Sequence, residues 1–333
     1  MIYIFSVSFE RTADRLIGRC KAKNTLKTYD TLIKKFETFA NENGIEVNPA
    51  CSQIVGNFIC HLADNKASLS EFLKLGPALV LLHESQGHDS LPSVRKPYIK
   101  LLLAGARREA AARKQTTVKA ACLTKAQIHK VINHVWPKGP GVIDYNINLI
   151  DWRTVMKVYT MYKTWCQFDC YSHLTSDHVI IEDDAVTILF PKAKNDQMYA
   201  GTVTLLSVLG DNHPRCPKLM FKTYFQVMKF QSHETNYLNC RIAVRKNVQI
   251  SKPKEKLSYT TSLENSRAIL AKLNIEGKFS EKSFKVAGVS EAFNQNISLE
   301  DAMYHGRWRC IDTPAIYCHR SRAKRLKVSK YVD

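Results

Sequence analysis

The residues with the clearest chemical potential lie near the end of the chain, in the stretch HGRWRCIDTPAIYCH, residues 305–319. Tyr317 offers a hydroxyl, and a tyrosine hydroxyl can act as a nucleophile that forms a covalent intermediate. Trp308 and His305 precede it in the same stretch. The alternative is that Tyr317 is an aromatic residue packed on a helix, which is the usual role of a tyrosine. The rest of the sequence is needed to choose between these two interpretations.

The balance of charge indicates a polyanionic partner. Lysine and arginine number 49 against 30 acidic residues, which gives a net charge of +19 and a pI near 9.5. An excess of this size is typical of proteins that bind nucleic acid. A ribosome-like basic surface and attraction to anionic membranes are the alternatives that the charge leaves open.

Length and composition predict a folded intracellular protein of two domains. A chain of 333 residues with 45% hydrophobic residues is long enough for two cores. Its ten cysteines include no CxxC pair, which favours reduced, mostly buried thiols over a structural zinc site. We expect no metal and no cofactor. No segment has the length and apolar character of a membrane span, and MIYIFSVSF is a poor signal peptide.

Hydrophobic periodicity predicts a helical domain over residues 20–115, after an N-terminal extension of residues 1–19. Apolar residues repeat at intervals of three and four in four segments, and a polar, basic linker over residues 116–123 follows them. The predicted helices span residues 24–44, 54–65, 72–87 and 93–115.

The second domain, residues 124–333, is predicted to be mainly α with a small β-sheet. Alternation around Asp183-Asp184 predicts two or three short strands within residues 178–206, and residues 229–258 read as a loop with a short strand. A basic tail ends the chain. The predicted helices span residues 124–136, 148–168, 216–228, 259–273, 281–296, 298–305 and 312–320.

Several motifs in this order resemble the tyrosine recombinase, or phage integrase, family, and most closely its eukaryotic mobile-element members. MYHGRW (residues 303–308) places Trp308 nine residues before Tyr317, as the family's His-or-Trp position and nucleophile are placed. FPKAKNDQ (residues 190–197) resembles the family's β-hairpin, with Lys194 as its lysine and Lys192 as a substitute. RCPKLMFKTYF (residues 215–225) and RLKVSKY resemble the segments after the hairpin and after the tyrosine.

The resemblance implies a core-binding domain and a catalytic domain that close as a clamp on duplex DNA. It implies that Tyr317 attacks a DNA phosphate, that two arginines bind its non-bridging oxygens, and that Lys194 protonates the leaving 5′ oxygen. Trp308 and His305 would help to position these groups, although His305 is equally expected to pack at the end of a helix. Tetramers on paired sites and a nuclear location in a eukaryotic cell, or otherwise a cytoplasmic one, are further expectations.

Both arginine positions of the resemblance hold other residues. In TWCQFDCYSHLTSDHV (residues 164–179) Gln167 occupies the first, and in EKSFKVAGVS (residues 281–290) Lys282 and Lys285 occupy the family's histidine and second arginine. Glutamine is neutral, and lysine lacks the planar fork of arginine. Losing one such donor typically costs about 10²–10³ in rate.

We therefore expect a DNA-binding protein of recombination and integration with weak or no strand cleavage. The alternative is an active recombinase that forms a 3′-phosphotyrosyl intermediate through Tyr317, and a distant one is a basic helical protein that binds RNA. Beyond the catalytic candidates, basic residues are expected to contact phosphates. They are Lys27, Arg107, Arg108, Arg113, Lys114, Lys192 and Arg307.

Overall fold

The computed structural model divides the chain into two compact units, Met1–Val118 and Lys119–Asp333. Within them it describes residues 16–17, 20–45, 50–88, 90, 92–113, 121–191, 202–210, 212–231 and 233–317. Within those ranges, no helix combines the length and the apolar character that crossing a membrane requires.

Within residues 20–113 as far as they are described, the first unit contains a bundle of four α-helices. The aromatic rings of Phe36, Phe58 and Phe72 are almost fully buried in it. The ring centroids of Phe36 and Phe58 lie 5.1 Å apart. The third helix begins with a capping box in which Ser68 and Glu71 satisfy each other's backbone donors. The four helices are α1 (Lys23–Glu42), α2 (Ser52–Asp64), α3 (Leu69–Ser85) and α4 (Pro97–Ala112).

The second unit is built around one buried helix, α6 (Leu149–Thr164), against which helices from both sides of the sequence pack. Nearly every side chain from Trp152 to Thr164 is buried, so this helix is enclosed rather than amphipathic. The other helices are α5 (Lys125–Asn133), α7 (Phe168–Tyr171), α8 (Pro217–Val227), α9 (Tyr259–Lys272), α10 (Lys282–Asn294), α11 (Leu299–Gly306) and α12 (Thr313–Tyr317).

The described part of the second unit also contains two small antiparallel sheets. β1 (Val179–Ile181), β2 (Ala185–Phe190) and β3 (Thr202–Ser207) form a meander in which Val186 pairs with Leu206. Alternate residues of β2 are buried, so one face of this sheet covers the core. β4 (Cys240–Arg245) and β5 (Val248–Lys256) form a hairpin. The mainly helical fold with a small β-sheet that the sequence predicts is confirmed.

The structure corrects the predicted elements in three places. The helix predicted over 148–168 ends at Thr164, because Trp165 adopts the left-handed conformation with φ of 51°. The loop predicted over 229–258 contains the β4–β5 hairpin, whose turn residues Lys246 and Asn247 both have positive φ. The helix predicted from residue 93 begins only at Pro97, after a turn of 3₁₀ helix, because proline fits the first helical position.

Candidate active site

Tyr317 forms one end of a column of three aromatic rings. Its ring stacks on Trp308 with centroids 5.8 Å apart and planes within 5° of parallel. Trp308 stacks in turn on Trp165, at 5.7 Å and 21°. Trp165 and Trp308 are buried together with Val289 and Ala302. The candidate nucleophile is therefore both a packed aromatic residue and the end of a rigid column.

Two glycines make room for this column. An added methyl group at Gly288 on α10 would overlap the backbone oxygen of Tyr162 and lie 2.7 Å from the Trp165 ring. One at Gly306 would lie 2.7 Å from the Trp308 ring. Such contacts are closer than packed atoms tolerate, so the rings reach their positions because both residues lack a side chain.

Two lysines of the first turns of α10 lie against the Tyr317 ring. The Lys282 Nζ is 4.8 Å from the Tyr317 ring centroid, and the Lys285 Nζ is 4.5 Å from it and 5.2 Å from that of Trp308. Cations at these distances over aromatic faces are attracted by the ring quadrupole. Lys282 is exposed, whereas Lys285 is only 4% exposed.

The ammonium group of Lys285 is destabilised by its surroundings. Burial, followed by repulsion from Arg307, lowers the pKa of Lys285 from 10.5 to about 8. Burial disfavours the charged form, and a second cation adds to that effect. An approaching anion would therefore stabilise the protonated form of Lys285.

Gln167 completes the polar surroundings of the Tyr317 hydroxyl. Its side-chain Nε2 donates a long hydrogen bond of 3.4 Å to the Tyr317 Oη. Ser290 on α10 donates to the Tyr317 backbone oxygen at 3.3 Å. The structure thus brings together Gln167, Lys282, Lys285, Trp308 and Tyr317, which lie up to 150 residues apart in the sequence.

His305 and Arg307 support the site from behind. The His305 Nε2 donates to the Lys163 backbone oxygen at 2.8 Å, and its ring meets the Trp165 ring edge-on at 4.5 Å. Burial lowers the pKa of His305, so the neutral ring predominates at pH 7. This places His305 as a packing residue at a helix end, one of the two roles expected for it.

Arg307 bridges α11 to the β-meander rather than presenting a free guanidinium. Its Nη2 donates to the Thr164 backbone oxygen at 2.9 Å, and its Nη1 donates to the Thr204 hydroxyl. The guanidinium also lies over the Phe190 ring, at 4.2 Å from the centroid. Both terminal nitrogens of the guanidinium thus donate to protein groups, and the phosphate contact expected of Arg307 stays a prediction.

A buried ion pair holds the start of α10, where the two site lysines begin. The Lys157 Nζ of α6 lies 2.5 Å from the Glu281 Oε1, and both side chains are at most 2% exposed. The same ammonium donates to the backbone and side-chain oxygens of Ser262 and to the Ser266 hydroxyl. Helices α6, α9 and α10 are thereby joined at one point directly before Lys282.

The other predicted site residues fall into two groups, those outside the described residues and those on the helical unit. Lys114, Lys192 and Lys194 lie outside the described residues. In the helical unit, Arg107 donates to the Phe72 carbonyl and Arg113 to the carbonyls of Ala63 and Ala67. Lys27 and Arg108 are exposed, and Lys27 lines a shallow cleft of about 300 Å³ with Lys74. Their contacts with phosphate remain predictions.

Sequence reasoning missed Trp165 and the Lys157–Glu281 pair. Trp165 carried a signal, since it lies two residues before Gln167. The sequence gives no signal that Lys157 is buried, because a charged residue in a helix is normally on the surface. Across the described residues, no group of three or more His, Cys, Asp or Glu side chains is placed to hold a metal ion.

Comparison with solved structures identifies the fold. The XerH site-specific recombinase, in a post-cleavage complex with palindromic difH substrate, superposes with a TM-score of 0.60 at 13% identity, over 91% of this chain and 78% of that one. The Tn1549 transposon integrase with circular intermediate DNA superposes with a TM-score of 0.52 at 9% identity, over 96% and 98%. No protein-family model and no curated protein sequence matches. The chain therefore has the fold of the tyrosine recombinases predicted from its motifs.

Proposed function

We propose that this chain is a duplex-DNA-binding protein of the tyrosine recombinase family, acting in DNA recombination or integration. The observation that carries the proposal is the convergence of Lys282, Lys285 and Gln167 on Tyr317 and Trp308, in a fold shared with DNA-bound recombinases. Two ammonium groups beside a tyrosine form a site for a DNA phosphate. A net charge of +19 supplies attraction along the rest of the duplex.

In this proposal the site binds phosphate better than it cleaves DNA. Gln167 and Lys285 stand at the two arginine positions of the family, so only one of the two positions carries a charge and neither offers a planar fork. Each missing transition-state donor costs about 10²–10³ in rate, and independent losses multiply to on the order of 10⁴ or more. Strand cleavage is consequently weak or absent.

The alternative is an active site-specific recombinase, and the position of the Tyr317 hydroxyl favours it. Tyr317 Oη would lose its proton to solvent as it attacks phosphorus and forms a 3′-phosphotyrosyl bond, while the bond to the 5′ oxygen breaks and that oxygen takes a proton. Lys194 is the proton donor in this scheme. The Gln167 amide that reaches the hydroxyl would then contact a non-bridging oxygen when DNA is bound.

The assembly and the location of the protein are proposed from its resemblance to the tyrosine recombinase family. The two units would close as a clamp around DNA, and tetramers would form on paired sites. A source in a eukaryotic mobile element would place the protein in the nucleus. Light scattering of the protein mixed with duplexes that carry one or two sites would report the assembly.

Salt-dependent DNA binding tests the proposal. The logarithm of the affinity for duplex DNA should fall linearly with the logarithm of salt concentration, with a slope of about −0.9 for each phosphate contacted. Replacing Lys282 or Lys285 with Gln should reduce that slope by about one contact. The control is Lys254→Gln, because Lys254 is exposed and pairs with Glu234. Absence of binding at low salt, or equal losses in all three variants, would argue against a phosphate site at Tyr317.

A further inference from the structure

A second group of basic residues lies near the end of α6. It consists of Lys125 and His129 on α5, Lys163 in the last turn of α6, and Arg215 in the loop before α8. Lys125 is exposed, and the other three are half-buried and reach solvent. Their side chains take no part in the site described above, although the Lys163 backbone oxygen accepts a hydrogen bond from His305.

Hydrogen bonds and helix geometry hold the group together. The Tyr159 hydroxyl of α6 donates to the Arg215 backbone oxygen at 3.1 Å, and Lys163 lies one turn further along the same helix face. His129 follows Lys125 by one turn of α5, which packs on α6. The Arg215 guanidinium lies within hydrogen-bond distance of the His213 ring, at 3.3 Å. The Arg215 backbone and Lys163 thus lie along the same face of α6, one helical turn apart.

The charges in this group are not balanced. Its carboxylate is Glu291, which is already paired with Lys125 at 3.1 Å. Lys163 and Arg215 form no ion pair within the described part of the chain. The negative end of the α6 dipole offsets about half a charge, which leaves more than one positive charge uncompensated.

The titration of nearby groups reflects this excess. Burial, followed by repulsion from Arg215, lowers the pKa of His129 to about 4. Burial and the same arginine also lower the pKa of Lys163. Repulsion within this group raises the free energy of the folded protein, and a bound anion would reduce that repulsion.

We propose that Lys163, Arg215 and Lys125 form a phosphate-binding site separate from the site at Tyr317. A guanidinium matches two phosphate oxygens, and an ammonium adds a point charge that can approach a third. A phosphate dianion would balance the excess. His305 bonds to the Lys163 carbonyl and packs on Trp165, so the aromatic column connects the two sites.

The phosphate belongs either to bound DNA or to a free phosphate compound. If it belongs to DNA, the inference rests on the proposed function and adds a contact outside the Tyr317 site. If it is free, the site is independent of that function. The same variants distinguish the two sources.

The experiment measures the binding of inorganic phosphate to the full chain by titration calorimetry, in the wild type and in Lys163→Gln and Arg215→Gln. We expect each variant to lose affinity for one phosphate by about tenfold or more, the effect of removing a charge-assisted hydrogen bond. Lys254→Gln is the matched control on the same unit. Lys285→Gln should retain this phosphate, which separates the site from that at Tyr317. Tryptophan fluorescence confirms that the variants are folded.

A second arm measures duplex affinity across salt concentrations in the same variants. If DNA supplies the phosphate, the salt slope falls by about 0.9 for each variant. If DNA binding is unchanged while phosphate binding is lost, the ligand is a free phosphate compound. Unchanged affinity for both ligands in both variants would overturn the proposal. If the wild type binds phosphate but not DNA, the proposed function fails and this site stands.

Discussion

Replacing Lys157 with Met removes one half of the buried ion pair beneath the start of α10. Lys157 is the cation that Glu281 contacts, and the Glu281 Oε2 has no hydrogen-bond partner among the described atoms. After the substitution Glu281 keeps only the 3.3 Å hydrogen bond from the Ser266 hydroxyl. Removing one partner of a buried pair typically destabilises a protein by about 3–5 kcal/mol. We expect a loss of that size in the second unit.

Urea unfolding followed by tryptophan fluorescence measures this loss in the second unit alone. All four tryptophans of the chain belong to that unit: Trp136, Trp152, Trp165 and Trp308. Glu281→Leu, which leaves Lys157 without its counterion, should also destabilise the second unit by about 3 kcal/mol or more.

The double variant Lys157→Met with Glu281→Leu is the decisive control. Replacing both charges with apolar groups of similar volume is typically neutral or stabilising by about 1–4 kcal/mol. The double variant should therefore recover most of the loss. If both single variants stay within about 1 kcal/mol of the wild type, or if their effects add in the double variant, the pair does not support α10 as described.

Three further predictions concern a glycine beside the aromatic column, an exposed glycine of α4 and the lysine beside Tyr317. Gly288→Ala should destabilise the second unit by about 3 kcal/mol or more, measured by the same fluorescence assay, because the added methyl overlaps the Tyr162 carbonyl. Gly105→Ala in α4, where nothing lies within 4 Å, should instead stabilise the helical unit by about 0.5–1 kcal/mol in thermal unfolding followed by circular dichroism. The affinity for duplex DNA should fall as pH rises from 7 to 9, because Lys285, with a pKa of about 8, is charged below that pH and neutral above it. In Lys285→Arg the charge persists and this decrease in affinity, measured by fluorescence anisotropy, should be reduced; an unchanged pH profile would show that another group is responsible.

Helix positions were predictable from the sequence because most helices here have one apolar face. α9 and α10 were predicted to within two residues at each end, since Ser258 caps the first helix and an apolar run forms the second. The β4–β5 hairpin was missed because Lys246-Asn247 lacks the glycine that usually marks such a turn. The lysine-rich strand β5 also lacks buried residues that would mark one face as apolar.

The residues of the candidate site that lie in recognisable motifs could be predicted from the sequence. The residues that reach the site only through packing could not. The motifs around Gln167, Lys285 and Tyr317 predicted residues that the fold brings together. The contribution of Trp165 depends on a left-handed backbone conformation, which a single sequence does not reveal for a non-glycine residue. The hydrogen bonds from Arg307 to Thr164 and Thr204 likewise could not be predicted from the sequence, because they join segments more than 100 residues apart.

The most direct test of the central claim is a covalent-adduct assay on supercoiled plasmid at low salt. We would compare the wild type with Gln167→Arg combined with Lys285→Arg, and with the same double variant carrying Tyr317→Phe. The account predicts salt-sensitive binding by all three proteins and little adduct with the wild type. It predicts an increase of about 10² or more in the double variant that the phenylalanine abolishes. Abundant Tyr317-dependent adduct with the wild type, or no DNA binding at all, would contradict the account.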